Sequence, residues 1–334
     1  MKKELVNVRE AEASIRKGNF EEVVMGYSQD QALEEAARCI QCKNPTCIAG
    51  CPVGIDIKKF IYQITKKDYS AAFATIREKN NFPSICGRVC PAEYQCRLTC
   101  VFTKKGSVFA SKEAINIHFL ERFIGDYGIN NNVEVPKTSD KTLSEYKVAV
   151  VGSGPAGLCC AGELARYGIK VTVFEGLQKL GGVLRYGIPP FRMPRDILDF
   201  EIDYLKKIGV DFVVNFIIGR TKTLDELLAE GYSAVFLGLG AGIPSFLGIP
   251  GENLCNIYSA NEFLTRINLM SAYKFPEYHT PVNIGKKVLV IGGGNTAMDA
   301  ARAALRLQNM TMQTSDTTII YRRTEVEMPA RRLE

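Results

Sequence analysis

Eight of the chain's eleven cysteines lie between Cys39 and Cys100, and no other feature narrows the possible folds as far. Disulfides are rare in reducing compartments, where thiols crowded into one segment are more often metal ligands than staples. The first run reads Cys39-x2-Cys42-x4-Cys47-x3-Cys51-Pro52, and the second reads Cys86-x3-Cys90-Pro91, then Cys96 and Cys100. The bacterial iron–sulfur run has two residues where the first run has four, with the same Cys-Pro ending, and its fourth cysteine often serves the other cluster of a pair. Zinc also uses C-x2-C, but as two separated pairs. Here four cysteines fall between positions 39 and 51. Soft thiolates hold iron and spread its charge, so the spacing predicts two 4Fe–4S clusters. Cys159, Cys160 and Cys255 lie elsewhere and are expected to be buried small apolar side chains.

The N-terminus, MKKELVNVREAEASIRKG, has no apolar run behind its lysines and does not read as a secretory leader. No stretch has the apolar length that crosses a bilayer, so a cytoplasmic location is expected. The 334 residues suggest two or three domains, and 46% hydrophobic and 23% charged residues are ordinary for globular cores. Lysine and arginine exceed aspartate and glutamate by 42 − 36 = 6. That surplus is too mild to argue for nucleic acid or membrane binding, and tryptophan is absent.

The first 130 or so residues carry helical patterns. Ser28-Gln29-Asp30-Gln31 fits a capping box, followed by Leu33, Ala36, Ala37 and Ile40 on one predicted face. Ile57, Phe60, Ile61 and Ile64 repeat that spacing, as do Tyr69, Ala72, Phe73 and Ile76. The cysteines are expected in the Pro/Gly-rich loops between helices. Residues 130–146, polar and containing Pro136, read as a linker.

Beyond the linker the period changes. Lys147–Val151 is a β-branched run, followed by a glycine-rich turn, a helical stretch and Lys170–Glu175, which together predict a βαβ unit. A second copy begins at Lys286 with KKVLVIGGG, continues as helix from Thr296 to about Leu307, and ends in TTIIYRR. Between the copies a helix near Leu224–Ala229 precedes a strand at Ala234–Gly238.

The first turn, Gly152-Ser153-Gly154-Pro155-Ala156-Gly157, fits G-x-G-x-x-G between strand and helix. Such glycines allow a tight turn and close approach to a pyrophosphate at the helix N-terminus. Glu175, 23 residues after Gly152, stands where an acid takes ribose hydroxyls. The second turn is Gly292-Gly293-Gly294-Asn295-Thr296-Ala297, and its second strand ends in Tyr321-Arg322-Arg323 rather than an acid. Arginines there pair with a 2′-phosphate, so this copy is expected to prefer NADPH; the bland alternative is a solvated basic surface. His118 and His279 sit in no acid–base pairing and read as structural. Catalytic side chains stay unassigned, because the hard chemistry of hydride transfer belongs to cofactors.

A cysteine-rich helical segment, then GSGPAG, GGVLRYGIPPFRMP, GGGNTAMDAAR and YRRTEVEMPAR, in this order, resembles the small (β) subunit of bacterial glutamate synthase and its relatives. Those relatives include the large subunit of NADH-dependent ferredoxin:NADP oxidoreductase, sulfide dehydrogenase subunits and the N-terminal part of dihydropyrimidine dehydrogenase. The resemblance spans essentially the whole chain. It implies a multidomain architecture: an N-terminal α-helical iron–sulfur domain (1–135), then α/β Rossmann-like domains for FAD (145–280) and NAD(P)H (281–334). It further implies one cluster on Cys39, Cys42, Cys47 and Cys100, and another on Cys51, Cys90 and Cys96. The fourth ligand of the second cluster varies among relatives, with Glu121 and Cys86 as the candidates here. FAD is implied on Gly152–Gly157, Glu175 and the Gly181-Gly182 turn, and NADPH on Gly292–Ala297 with Arg322 and Arg323. The implied activity is an NADPH-oxidising FAD/iron–sulfur electron-input subunit. Its partner would be a large catalytic subunit making glutamate from 2-oxoglutarate and glutamine, or alternatively a ferredoxin-type acceptor, sulfide or a pyrimidine. Relatives continue past the MPAR stretch, so both the NAD(P)H unit and the FAD domain are expected to be incomplete here, and a cluster-carrying fragment without turnover is a further alternative.

Overall fold

The computed structural model describes residues 4–103, 113–134, 142–312 and 316–331. Residues 135–141 of the expected linker lie outside them. Contacts divide the chain into two units: Met1–Ala11 with Val23–Pro136, and Glu12–Glu22 with Lys137–Glu334. The short helix α1 (Ala13–Arg16) belongs to the second unit.

The first unit is helical. Helix α2 (Gln29–Ala36) starts at the predicted capping box: Ser28 Oγ accepts the Gln31 N–H at 3.3 Å, and Gln31 Oε1 accepts the Ser28 N–H at 3.0 Å. It ends at Ala36, so the expected face running on to Ile40 is not formed. Its buried residues are Ala32, Glu35 and Ala36, whereas Ile40 lies beyond the helix and is exposed. Helix α3 (Thr46–Ala49) is a single turn. Helix α4 (Ile57–Thr65) is capped by Asp56, whose carboxylate accepts the Lys59 N–H at 3.0 Å, and it buries Ile57, Phe60, Ile61 and Ile64 as its spacing predicts. Helix α5 (Tyr69–Arg77) is capped in the same way by Asp68 and buries Tyr69, Ala72, Phe73 and Ile76. Each buried isoleucine or phenylalanine among them contributes about 1.5–3 kcal/mol. Helix α6 (Pro83–Val89) opens with proline, which gives up no needed N–H at that position, and α7 (Ile117–Asn130) lies against it.

The second unit holds a parallel sheet with the order β3-β2-β1-β4 among the described residues. Strand β1 (Lys147–Val151) leads through α8 (Pro155–Arg166) to β2 (Lys170–Phe174). Helices α9 (Val183–Tyr186) and α10 (Arg195–Lys207) precede β3 (Val210–Val213), and α11 (Leu224–Ala229) precedes β4 (Ala234–Leu237). Both expected features between the glycine-rich copies are therefore present. Helix α12 (Ala260–Asn268) follows, and then the second copy: β5 (Val288–Ile291), α13 (Asn295–Met312) and β6 (Thr317–Ile320), with β5 and β6 parallel. The loop Ile188–Pro194 joins the copies. Arg192 pairs with Asp299 of α13 at 2.6 Å, both side chains being buried, and Arg306 lies 3.9 Å over the Phe191 ring.

Candidate functional site

Four thiols wall one cavity. Cys39, Cys42, Cys47 and Cys100 line it together with Ile57, Ile61, Val101, Phe102, Ile115 and Ile117. Positions 47 and 100 are brought near because α3 is pinned to the segment before Cys100: Thr46 Oγ1 donates to the Thr99 carbonyl at 2.6 Å. Gly50 makes the approach possible, since a Cβ there would stand 2.2 Å from Thr99 Oγ1. Burial pushes the Cys39 thiol up, with Cys42 and Cys100 adding to it. Burial also pushes Cys47 up to about 12, followed by the effects of Cys39, Cys100 and Cys42. Thiols raised in this way, Cys39 and Cys47, ionise more readily where a cation offsets the charge. Among the described residues no three His, Cys, Asp or Glu side chains converge as a lone ion would require. The all-sulfur donor set lining the cavity suits iron–sulfur chemistry.

A second constellation gathers around Cys96. Its thiol is raised by burial and then by Glu121, Cys90 and Cys51, which places those three within electrostatic reach. The helices set this up through two glycines. A Cβ at Gly87 of α6 would lie 2.5 Å from the Arg122 backbone of α7, and one at Gly125 would lie 2.5 Å from Ser84. The two backbones therefore touch, and Cys86, Cys90 and Glu121 come to one region. Arg88 clamps the seam by a two-pronged pair with Asp126, at 2.6 and 2.9 Å. Glu121 is buried, and burial raises its carboxyl to about 8, against the hydrogen bond from Asn80. The cysteines were expected in loops, but Cys47 sits in α3 and Cys86 in α6. Of the three remaining cysteines, Cys159 and Cys160 are half-buried and Cys255 is exposed, which corrects the expectation of burial.

The first glycine-rich turn, the acid and the Gly181-Gly182 turn form one assembly. Gly152 has φ +98°, and its Cβ would lie 2.3 Å from the carbonyl oxygen of Gly238, just past the neighbouring strand β4. Gly182, at φ +50°, packs its backbone on Gly154, where a Cβ would lie 2.5 Å away. Glu175 Oε2 accepts from both the N–H and the Oγ of Ser153, and Oε1 accepts the Leu177 N–H at 2.9 Å. Ser153 Oγ in turn accepts the Gly181 N–H at 3.0 Å. The N-terminus of α8 opens at Gly154 and Pro155, and a Cβ on Gly154 would meet nothing nearer than 4.0 Å. That leaves backbone exposed at the end of a twelve-residue helix, a cradle that fits a pyrophosphate.

The second turn repeats the first with substitutions. The Gly292 N–H donates to the Ile320 carbonyl at 2.9 Å, as the Gly152 N–H does to Phe174 at 2.8 Å. Helix α13 begins at Asn295, one residue before the expected start, and Gly294 opens onto free space. The Tyr321 ring covers Gly293, and the Ala330 N–H reaches the Gly293 carbonyl at 3.1 Å. Arg322 and Arg323 lie past β6, after Tyr321, and are exposed, with Thr296 and Ala297 in the first turn of α13.

Sequence reasoning missed the polar core of the first unit. Buried Glu35 accepts from the N–H of Val6 at 3.0 Å, from Arg38 at 2.6 Å and from the N–H of Asn116 at 2.8 Å. Asn80, between α5 and α6, was also missed; a polar residue directly after an apolar helical stripe was the available signal. His118 is buried against Phe119, and His279 is exposed. Among the described residues no helix is long and apolar enough to cross a membrane.

Residues 16–133 match the family described as dihydropyrimidine dehydrogenase domain II, 4Fe-4S cluster, and residues 146–332 match pyridine nucleotide-disulphide oxidoreductase. The chain is 34% identical over 96% of its length to the glutamate synthase [NADPH] small chain of Escherichia coli (strain K12). It is 37% identical over 88% to the NADPH-Fe(3+) oxidoreductase subunit beta of Geobacter sulfurreducens, and 35% identical over 84% to the NAD-dependent dihydropyrimidine dehydrogenase subunit PreT of Escherichia coli O157:H7. It spans 66%, 41% and 64% of those three proteins.

Proposed function

Because the chain belongs to the pyridine nucleotide-disulphide oxidoreductase family and carries a dihydropyrimidine-dehydrogenase-type 4Fe-4S domain ahead of it, we propose that it is the electron-input part of an NADPH-oxidising iron–sulfur flavoprotein. The observation that carries this is the presence, in one chain, of two cysteine constellations and two glycine-rich βαβ turns with opposite strand ends. Bound flavin would supply the junction between two-electron hydride chemistry and one-electron carriers. Gly152, Ser153, Gly154, Pro155, Ala156, Gly157, Glu175, Gly181 and Gly182 would hold FAD, with Glu175 and the α8 N-terminus orienting it. Gly292, Gly293, Gly294, Asn295, Thr296 and Ala297 would hold the dinucleotide, and Arg322 and Arg323 would take its 2′-phosphate. Cys39, Cys42, Cys47 and Cys100 would hold one 4Fe–4S cluster, and Cys51, Cys90, Cys96 and Glu121 the other.

The outlet proposed first is a glutamate synthase large subunit, on the likeness to that enzyme's small chain. The comparable likeness to subunits named for Fe(3+) and dihydropyrimidine chemistry supports a second reading, in which the same input serves another acceptor. The test is anaerobic addition of NADPH to the FAD- and iron-loaded protein. Bleaching of the flavin band is expected, and a band that stays unbleached overturns the proposal. Glutamate formation with a large subunit present, against reduction of a ferredoxin or Fe(3+), then separates the outlets.

A further inference from the structure

Asn80 stands between the two side chains that compete for the last place at the second constellation. It is buried, at 3% exposure. Its Nδ2 donates to Glu121 Oε1 at 2.7 Å, its Oδ1 accepts the Phe82 N–H at 2.9 Å, and the Cys86 thiol points its Sγ at the same Oδ1 from 3.7 Å. The backbone N–H of Phe82 can only donate, so it fixes which way the amide faces. The NH2 group is thereby turned toward the carboxylate and the carbonyl oxygen toward the thiol. A carboxylate that receives a hydrogen bond on one oxygen is held in one orientation. A thiol whose S–H is directed at an amide oxygen is engaged with that partner. We propose that Asn80 is the positioning residue that selects Glu121 over Cys86 as the fourth side chain of the second cluster site. This rests on the cluster reading given above and adds to it a residue outside the ligand set.

The full chain, purified without oxygen, is assayed for iron per chain and, after chemical reduction, by low-temperature electron paramagnetic resonance. Asn80→Asp keeps the size of the side chain and an acceptor for Phe82, but sets a second carboxylate against Glu121. It is expected to weaken the hold on the second cluster roughly 10–100-fold, lowering iron content and removing or shifting that cluster's resonance while the first cluster's stays. Cys86→Ser is expected to leave both readouts as in the parent. Parent-like iron and spectra in Asn80→Asp overturn the proposal. So does loss of the second cluster in Cys86→Ser, a result that does not depend on how the aspartate variant folds. A parent chain that takes up no iron overturns the cluster reading itself and the role of Asn80 with it. A parent with both clusters and an indifferent Asn80→Asp overturns only the role of Asn80.

Discussion

The two glycine-rich βαβ units share a hydrogen-bonding scheme and differ in how tightly they are built. In the first, a Cβ at Gly157 would stand 1.9 Å from the Gly152 carbonyl oxygen, so only glycine fits. In the second, Ala297 occupies the matching place, and even a Cβ on Gly292 would lie 3.3 Å from it. Strand β1 is buried at Val148–Val151, whereas Leu289 and Ile291 of β5 are exposed. The first unit binds its strand-end acid into the turn through Ser153, while the second ends in two exposed arginines. On the proposed assignment, the closed turn would suit a cofactor that stays, and the open turn a dinucleotide that arrives, reacts and leaves.

Gly157→Ala should break this contrast most severely. The turn must open to clear the new methyl, costing about 3 kcal/mol, and the expected outcome is a lower melting temperature with flavin lost on purification. A variant that retained flavin and parent stability would show that the first turn is no tighter than the second. Glu175→Gln comes next. It removes the charge from an acceptor of three hydrogen bonds. Losing charge assistance at about 1.5–3 kcal/mol predicts flavin bound roughly tenfold more weakly or worse, measured by titration of the apoprotein. For the second unit, Arg322→Ala with Arg323→Ala should raise the KM for NADPH about tenfold and leave that for NADH nearly unchanged. Equal effects on both coenzymes would reduce the arginines to a solvated surface. The smallest change is Ala297→Gly, which should cost at most about 1 kcal/mol and leave coenzyme binding close to the parent's.

Where a feature depends on neighbours in sequence, the residues revealed it. The capping box at Ser28, the apolar stripes of α4 and α5, and both glycine-rich turns needed only spacing and side-chain chemistry to be recognised. What failed depended on distant partners. The face of α2 was misjudged because the helix stops at Ala36 and Glu35 holds a core position, held there by Arg38 and by the N–H groups of Val6 and of Asn116, 81 residues away. A carboxylate at a helix position reads as solvated until its buried donors are known. The cysteine spacing suggested two groups of four, but not that Gly87 and Gly125 would let α6 and α7 touch, because backbone contact leaves no pattern in hydrophobicity. Cys255 was misplaced for a simpler reason: a lone cysteine carries no positional signal.

The glycine seam between α6 and α7 also bears on how a metal site would load. Ligands scattered along a flexible chain must be gathered at the moment of capture, and each gathering loses chain entropy. Two helices locked backbone to backbone are gathered when the protein folds. If Cys90 and Glu121 are ligands as proposed, their gathering would precede the metal, and iron would meet a chelate whose bite is already set.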